Sequence, residues 1–227
     1  MDTIVYIDGY NLYYGLLKHT SYKWIDPFIL FQSILRIQDP SSKITKIKYF
    51  TAPVKANFSS HEQESVKAQN SYHKALKQLY SDKIDIILGY HTVEKGTPPL
   101  YLKPIDKDKR VEIWKFEEKQ TDVNNIALHI YRDALLENCE QQILVSNDSD
   151  LKLALELIKN DKPKMVLGLI IPRPKPTTTQ NSRPPNKSLS KYACWTRNYI
   201  LDQECMYSQL PDIISTNKKP ILKPNYW

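Results

Sequence analysis

The sequence contains little glycine and lacks the motifs of several common enzyme classes. Only 5 of its 227 residues are glycine, and neither GxxxxGK[ST] nor GxGxxG occurs. No glycine-rich loop around a nucleotide phosphate is therefore expected. A GxSxG elbow, which carries the serine nucleophile of an α/β-hydrolase, is also absent. These absences argue against P-loop, dinucleotide-binding and serine-hydrolase sites.

Zinc and disulfide chemistry are poorly supported as well. The three cysteines form no CxxC pair, and an odd count is awkward for a disulfide framework. The five histidines form no HExxH motif, and together with the cysteines they give no zinc-ligand spacing. We predict reduced core thiols, and histidines on the surface or in the core without a metal. These residues are Cys139, Cys194, Cys205, His19, His61, His73, His91 and His129.

Long apolar runs are missing from the chain. None approaches the roughly 20 residues that a membrane-spanning helix requires. The segment MDTIVYIDGYN at the amino end lacks the basic-then-apolar layout of a signal peptide. Both observations predict a cytoplasmic protein without a membrane partner.

The charge of the chain is unevenly distributed. The formal net charge is +7, and the stretch from Lys162 to Lys191 holds seven basic residues and no acidic one. Residues 172–185 contain five prolines and are predicted to be a loop. Basic residues in such a loop can neutralise phosphates, and the alternative is a solvated loop without a ligand. The predicted RNA contacts are Arg173, Lys175, Arg183 and Lys187.

Strand and helix patterns alternate along the chain. Apolar, β-branched and aromatic runs predict strands at 3–7, 44–51, 84–90, 111–116, 142–145 and 165–171. Helical spacing predicts helices at 11–18, 28–37, 60–80, 121–138 and 151–158, with a further amphipathic segment at 189–206. Such alternation is typical of an α/β fold with a mostly parallel sheet and helices on both faces. We expect one domain at 1–171, on which the Pro-rich basic loop and the C-terminal helix and tail of 172–227 pack.

Four aspartates lie at junctions between predicted elements: Asp8, Asp122, Asp148 and Asp150. In open parallel sheets, ligands bind beyond the carboxyl ends of the strands, so these acids can share one site. Each also has a structural alternative. Asp8 precedes a glycine and is compatible with a simple turn. Asp122 is compatible with a helix cap, and so is one of the pair Asp148 and Asp150.

The four acids are harder to explain as a set than one by one. Carboxylates within a few Å of one another repel unless a cation neutralises them. Oxygen ligands select Mg²⁺ or Mn²⁺, and such an ion activates water and stabilises the charge that develops during phosphodiester cleavage. The pattern therefore predicts a metal-dependent site that acts on phosphate esters.

Tyrosines crowd around the first of these acids, at Tyr6, Tyr10, Tyr13 and Tyr14. An unpaired nucleic-acid base can stack on an exposed tyrosine ring. The alternative is core packing, because aromatic rings have a large area to bury.

Five collinear blocks resemble the NYN-domain proteins of the PIN-like nuclease superfamily, specifically the bacterial LabA-like branch. The blocks are YIDGYNLYYG, IKYFTAPV, EEKQTDVNNIA, ILVSNDSDL and, at the carboxyl end, SQLP with KPNYW. The resemblance implies a PIN-like, Rossmann-like three-layer α/β/α sandwich. It also implies that acids at the strand ends hold Mg²⁺ or Mn²⁺ for RNA hydrolysis.

The same resemblance implies roles for individual residues. The metal-binding and catalytic acids would be Asp8, Asp122, Asp148 and Asp150. Asn11 would join them as a catalytic residue that orients a metal-bound water or a phosphate oxygen. Neighbouring polar residues would hydrogen-bond to the ligands, and these are Thr121, Asn124, Ser146 and Asn147.

One function is preferred, and two alternatives remain. The preferred function is a Mg²⁺- or Mn²⁺-dependent ribonuclease, an endonuclease for single-stranded or structured RNA. The first alternative is a non-catalytic RNA-binding regulatory module of the same fold. The second is a metal-dependent phosphatase for small phosphate esters. The sequence leaves open whether the chain acts alone or as a homo-oligomer.

Overall fold

The protein is built around a parallel sheet. The structure, a computed structural model, describes residues 1–104, 106–119, 123–176 and 184–227, and the side chains of these except at 116–119 and 123–124. In chain order its strands are β1 (Asp2–Asp8), β2 (Lys43–Thr51), β3 (Ile84–Leu88), β4 (Tyr90–Gly96), β5 (Ile113–Lys119), β6 (Gln141–Val145), β7 (Val166–Ile170), β8 (Trp195–Arg197), β9 (Ile213–Ile214) and β10 (Ile221–Leu222). Its α-helices are α1 (Gly9–Leu12), α2 (Pro27–Gln38), α3 (Glu62–Leu79), α4 (Val123–Leu135), α5 (Lys152–Asp161), α6 (Lys187–Ser190) and α7 (Asp202–Met206).

Six of these strands form the central sheet, in the order β3-β2-β1-β6-β7-β8. Neighbouring strands in it are parallel. A parallel sheet is covered on both faces, which explains why strands such as β1 and β6 are nearly continuous apolar runs. β1 and β6 are adjacent, with Ile7 beside Val145. The next residue of each segment, Asp8 and Ser146, therefore lies at the same carboxyl edge of the sheet.

Helices cover both faces of the sheet. On one face, α2 and α3 enclose a core that includes Trp24, Phe31 and Tyr72. On the other, α4 and α5 pack over Tyr6 and Leu144. These three layers confirm the predicted Rossmann-like α/β/α sandwich with a mostly parallel sheet. Among the described helices, none is long and apolar enough to cross a membrane.

The turn after β1 differs from its prediction. The periodicity predicts one helix at 11–18, but α1 ends at Leu12 and a π-helical turn follows at Tyr13–Leu17. Such turns are rare and frequently lie at functional sites. Here the two short helices place Tyr10 and Tyr14 on the wall of a cavity at the carboxyl edge of the sheet.

An antiparallel hairpin stands apart from the central sheet. The patterns at 84–90 and 111–116 predict one strand each, but β3 ends at Leu88, and β4 and β5 pair only with each other. The Gly89 amide donates to the Thr51 carbonyl oxygen at 2.8 Å, and the pairing of β3 with β2 ends at this hydrogen bond. Strand patterns identify extended residues without identifying their partners, so the prediction of a continuous strand at 84–90 is wrong.

Residues 189–206 do not form the C-terminal helix that their amphipathic pattern predicts. The segment instead contains the end of α6, the edge strand β8 and α7. β8 pairs with β7 where Gly168 lies beside Trp195. Because Gly168 has no side chain, the indole can occupy the space of a Cβ atom. This long-range contact, which periodicity cannot reveal, favours a strand over a helix.

The environment of the cysteines corrects one further prediction. All three thiols are free, and Cys139 and Cys205 are buried as predicted. Cys194 is exposed, because it lies just before the edge strand β8. The predicted core position is therefore wrong for Cys194.

Replacing Gly168 with alanine is expected to lower the free energy of unfolding by about 1–3 kcal/mol, the usual cost of overpacking. The added methyl group would overlap the Trp195 indole, so β8 would have to move. Gly96→Ala is the matched control, because a Cβ atom there meets its nearest neighbour at 3.5 Å, an ordinary contact. Urea denaturation measures both variants. Equal stability would contradict the packing of Trp195 on β7.

Candidate active site

Asp8 ends β1 with a buried carboxylate, and the residue is 3% exposed. Its Oδ1 accepts a hydrogen bond from the Asn11 amide at 2.9 Å. Its Oδ2 accepts from the Asn11 side chain at 2.6 Å and from the Ser146 hydroxyl at 2.8 Å. The carboxylate therefore caps α1 and ties the end of β1 to the segment that follows β6.

Asp148 and Asp150 lie on the loop after β6. The Asp148 amide donates to the Ser146 hydroxyl at 3.1 Å, and Asp148 Oδ1 accepts from the Asp150 amide at 3.0 Å. Asp148 thereby caps the 3₁₀ turn Ser149–Leu151 that leads into α5. Asp150 is exposed. The Ser146 hydroxyl thus links the Asp8 carboxylate to the Asp148 backbone at one edge of the sheet.

Asn11 and Asn147 connect this edge to the segment before α6. The Asn147 amide donates to Asn11 Oδ1 at 3.2 Å. The Asn147 side chain donates to the Pro184 carbonyl oxygen at 3.0 Å and accepts from the Asn186 amide at 2.8 Å. Both asparagines therefore lie close to Asp8, where their contacts hold the backbone of residues 184–186 against the strand ends.

Part of the predicted site lies outside the described residues. Thr121, Asp122 and Arg183 are not among the described residues, and of Asn124 only the backbone is described. Within the described part of the chain, no group of three or more His, Cys, Asp or Glu side chains is arranged to hold a metal ion. Binding of Mg²⁺ or Mn²⁺ at the edge formed by Asp8 and Asp148 stays a prediction.

The predicted RNA-binding residues do not form one described cluster. Arg173 and Lys175 line a cavity of about 900 Å³ together with Asn11 and Asn147. The Arg173 Nε donates to the Asn198 carbonyl oxygen at 2.8 Å. Lys187 is exposed at the start of α6. RNA as a partner stays a prediction.

An aromatic pocket of about 480 Å³ opens beside Asp8, between α1, the π-helical turn, α3 and the carboxyl-terminal residues. Its volume is in the range of small-molecule sites. The lining rings are Tyr10, Tyr13, Tyr14, Tyr49, Phe58, Tyr72, Tyr226, Trp227, His19, His61, His73 and His91. Lys18, Lys23 and Lys55 also line it, and no acidic side chain belongs to the wall among the described residues.

The rings of the aromatic pocket pack against one another. Tyr14 meets Tyr10 at 5.6 Å between centroids and meets Tyr13 edge-on at 5.1 Å. His61 stacks on Tyr226 at 4.5 Å. The Lys18 Nζ lies 4.9 Å from the Tyr14 ring centroid. These contacts create flat walls suited to a planar ring, with a cation available for an anionic substituent.

Burial keeps three titratable groups of the wall uncharged. Burial, followed by the nearby Lys77, lowers the pKa of His73 to about 4. Burial also raises the pKa of Tyr49 and that of Tyr72 well above the ordinary range. At neutral pH these three groups are therefore neutral.

The gathering of histidines is the feature that the sequence does not predict. Four of the five line this one pocket, although each is predicted as an isolated residue. They come from separate segments, so no local spacing could have revealed them. The tyrosine cluster gives a better signal: Tyr10, Tyr13 and Tyr14 line the pocket. Tyr6 lies in the opposite core and donates to Asp133.

The fold and this pocket define an α/β protein with an aromatic cavity at the carboxyl edge of a parallel sheet. The chain is 36% identical to 6-hydroxy-3-succinoylpyridine 3-monooxygenase HspA of Pseudomonas putida. The alignment of 246 residues covers all of this chain and 75% of that protein. The chain therefore belongs to the family of this monooxygenase.

Two further comparisons add little. No family model matches the chain, so the resemblance to NYN-domain proteins stays a prediction. A solved structure of a Vibrio parahaemolyticus protein of unknown function aligns with 88% of this chain and 92% of its own length, with a TM-score of 0.44 and 14% identity. A likeness of this size supports no statement about function.

The relationship to a monooxygenase overturns the predicted enzyme class. A Mg²⁺- or Mn²⁺-dependent ribonuclease is a hydrolase, whereas the relative is named as a monooxygenase, and monooxygenases are oxidoreductases. The ribonuclease prediction depends on acids at strand ends and on the resemblance to NYN-domain nucleases. In the structure, Asp8 and Asp148 are hydrogen-bonded caps. A cap is the structural alternative stated for one of Asp148 and Asp150, whereas the alternative stated for Asp8 is a simple turn. Their positions are thus explained without hydrolysis, and the assignment of a nuclease is wrong.

Proposed function

We propose that this protein is a monooxygenase whose substrate is a small pyridine ring that carries a hydroxyl group and an acidic side chain. The relative is named for such a molecule, 6-hydroxy-3-succinoylpyridine, and for its oxygenation at position 3. The observation that carries the proposal is the composition of the aromatic pocket, in which aromatic rings and lysines line the same cavity.

The aromatic pocket matches each part of such a substrate. Tyr10 and Tyr14 offer ring faces and edges for a planar heterocycle, and offset or edge-on contacts between rings are favourable. The acidic arm would pair with lysines of the wall, such as Lys18 and Lys55. Because the described wall contains no carboxylate, an anionic substrate meets no like charge there.

The reaction also requires a reductant. Monooxygenation places one atom of O₂ in the product and releases the other as water, which consumes two electrons. A flavin or a nicotinamide nucleotide supplies electrons in many such enzymes. In open parallel sheets such nucleotides place their diphosphate at the turn after the first strand.

The first strand-helix turn does not fit a nucleotide diphosphate. The Asp8 carboxylate already accepts from the Asn11 amide at the start of α1, so a second anion there would be repelled. The bare side of Gly9 faces the Phe50 carbonyl oxygen, which lies 2.6 Å from the place of a Cβ atom. The close approach that Gly9 permits is therefore to β2 and not to a ligand.

Turnover of 6-hydroxy-3-succinoylpyridine under ¹⁸O₂ tests the proposal. The purified chain is supplied with NADH, NADPH or reduced flavin in parallel reactions, and the products are analysed by mass spectrometry. We expect pyridine-dependent oxygen uptake and one labelled oxygen atom per product molecule. 3-Succinoylpyridine, which lacks the ring hydroxyl, is the matched control. Absence of labelled product with every reductant, from folded protein, would contradict the proposal.

We also propose that the protein works in the cytoplasm. Cys139, Cys194 and Cys205 are all free. Unpaired thiols are usual where glutathione and thioredoxin keep cysteines reduced. Fractionation of cells that produce the protein, followed by immunoblotting, measures its location directly.

A further inference from the structure

Tyr10 and His91 form a hydrogen-bonded pair in the wall of the aromatic pocket. The Tyr10 hydroxyl lies 2.5 Å from His91 Nε2, and His91 Nδ1 lies 3.0 Å from the Pro53 carbonyl oxygen. A carbonyl oxygen can only accept, so Nδ1 carries the proton and Nε2 accepts from Tyr10. This arrangement fixes the tautomer of the imidazole and directs its lone pair at the phenol.

The surroundings of His91 keep its imidazole neutral, which is the form that can accept a proton. The residue is 6% exposed. Burial lowers the pKa of His91, the hydrogen bond to Pro53 opposes this effect, and Lys55 adds to the lowering. The imidazole is therefore neutral at neutral pH. Histidine in this state is the usual general base of enzymes.

Two distant parts of the chain build the pair. Tyr10 belongs to α1, and His91 is the second residue of β4 in the hairpin outside the central sheet. A purely structural role, in which the bond fastens the hairpin to the domain, would not require the pair to lie in a ligand-sized cavity. Its position beside the rings of Tyr14 and Tyr13 brings the phenol within reach of a bound heterocycle.

We propose that Tyr10 and His91 are a proton relay that ionises the ring hydroxyl, or its lactam tautomer, of a hydroxypyridine bound in the aromatic pocket. This inference rests on the proposed function. The substrate O–H or N–H bond breaks as its proton passes to the Tyr10 oxygen. The Tyr10 proton passes at the same time to His91 Nε2. The products are a pyridinolate anion and an imidazolium, whose Nδ1 keeps its proton and still donates it in the hydrogen bond to the Pro53 carbonyl oxygen.

The relay would make the ring more reactive toward oxygen. An anionic oxygen donates electron density into the ring, which favours attack by an electrophilic oxygen species. Tyr10 is then the catalytic residue, since it touches the substrate, and His91 acts through it. General acid-base catalysis of this kind contributes about 10²–10⁴-fold to a rate.

The ultraviolet spectrum of bound 6-hydroxy-3-succinoylpyridine, recorded without O₂ or reductant, tests the relay. On the wild-type protein the ligand is expected to show the spectrum of its anion, which is recorded separately in alkali. With Tyr10→Phe or His91→Gln the ligand is expected to bind with its neutral spectrum, and turnover should fall by about 10²–10⁴-fold with a smaller change in KM. Tyr207→Phe, an exposed tyrosine outside the pocket, is the matched control.

The possible outcomes separate the relay from the proposed function. A neutral ligand on the wild-type protein, or an anionic ligand on Tyr10→Phe, overturns the relay and leaves the monooxygenase proposal standing. Failure of the wild-type protein to bind the pyridine overturns the proposed function and the relay with it. Circular dichroism measures whether each variant is folded. If one of Tyr10→Phe and His91→Gln unfolds, the other still tests the relay.

Discussion

Replacing Ser65 with tryptophan is expected to raise the dissociation constant of 6-hydroxy-3-succinoylpyridine by about 100-fold, equivalent to about 2.7 kcal/mol of binding free energy. Ser65 is a half-buried residue of α3 that lines the aromatic pocket. An indole, which buries about 150–250 Å² in protein interiors, would occupy the space of the ligand ring. Isothermal titration calorimetry measures the change.

Asn70→Trp is the matched control for this substitution. Asn70 lies on the same helix but is exposed and does not belong to the wall of the pocket. The control should bind the pyridine as the wild-type protein does. If Ser65→Trp also binds with wild-type affinity, the ligand site lies elsewhere on the protein, and the role given to the aromatic pocket is wrong.

Replacing Asp8 with alanine is expected to lower the free energy of unfolding by about 3 kcal/mol. The change removes the cap of α1, and it leaves the Asn11 side chain and the Ser146 hydroxyl without their acceptor in a buried place. Urea denaturation followed by circular dichroism measures the loss. The control is Asp150→Ala, an exposed acid of the neighbouring loop, for which a change within about 0.5 kcal/mol is expected.

The result for Asp8 distinguishes two explanations of the acids. A loss similar to that of Asp150→Ala would contradict the capping role that the hydrogen bonds define. The predicted Mg²⁺ or Mn²⁺ site is tested with the same proteins. A melting temperature that rises with MnCl₂ for the wild type but not for Asp8→Asn would support the metal, and equal shifts for the two proteins would oppose it.

Much of the fold is predictable from the sequence because the sheet is parallel and buried. Continuous apolar strands and amphipathic helices alternate clearly, and β1, β2, β6, β7 and the helices α2 to α5 follow these patterns. The elements that are predicted wrongly depend on contacts between distant parts of the chain. β8 exists because Trp195 packs in the space left by Gly168, and the pairing of β4 with β5 is invisible in either strand alone.

The candidate site is less predictable than the fold. Carboxylates at strand ends can be recognised in the sequence, but the same local pattern is found at metal sites and at helix caps. Only the three-dimensional structure shows that Asp8 is a cap. The pairing of Tyr10 with His91 spans 81 positions. It depends on the position of the hairpin, where His91 also contacts the Pro53 carbonyl oxygen, and no local spacing encodes that position. The aromatic pocket therefore emerges only from the three-dimensional arrangement.

A crystal structure of the protein with 6-hydroxy-3-succinoylpyridine is the most direct measurement of the central claim, that the aromatic pocket holds the substrate. Electron density for the ring is expected against Tyr10 and Tyr14, with the ring hydroxyl at the Tyr10 oxygen and the carboxylate at a lysine of the wall. Density for the pyridine outside the aromatic pocket, with the pocket filled by water, would contradict the account.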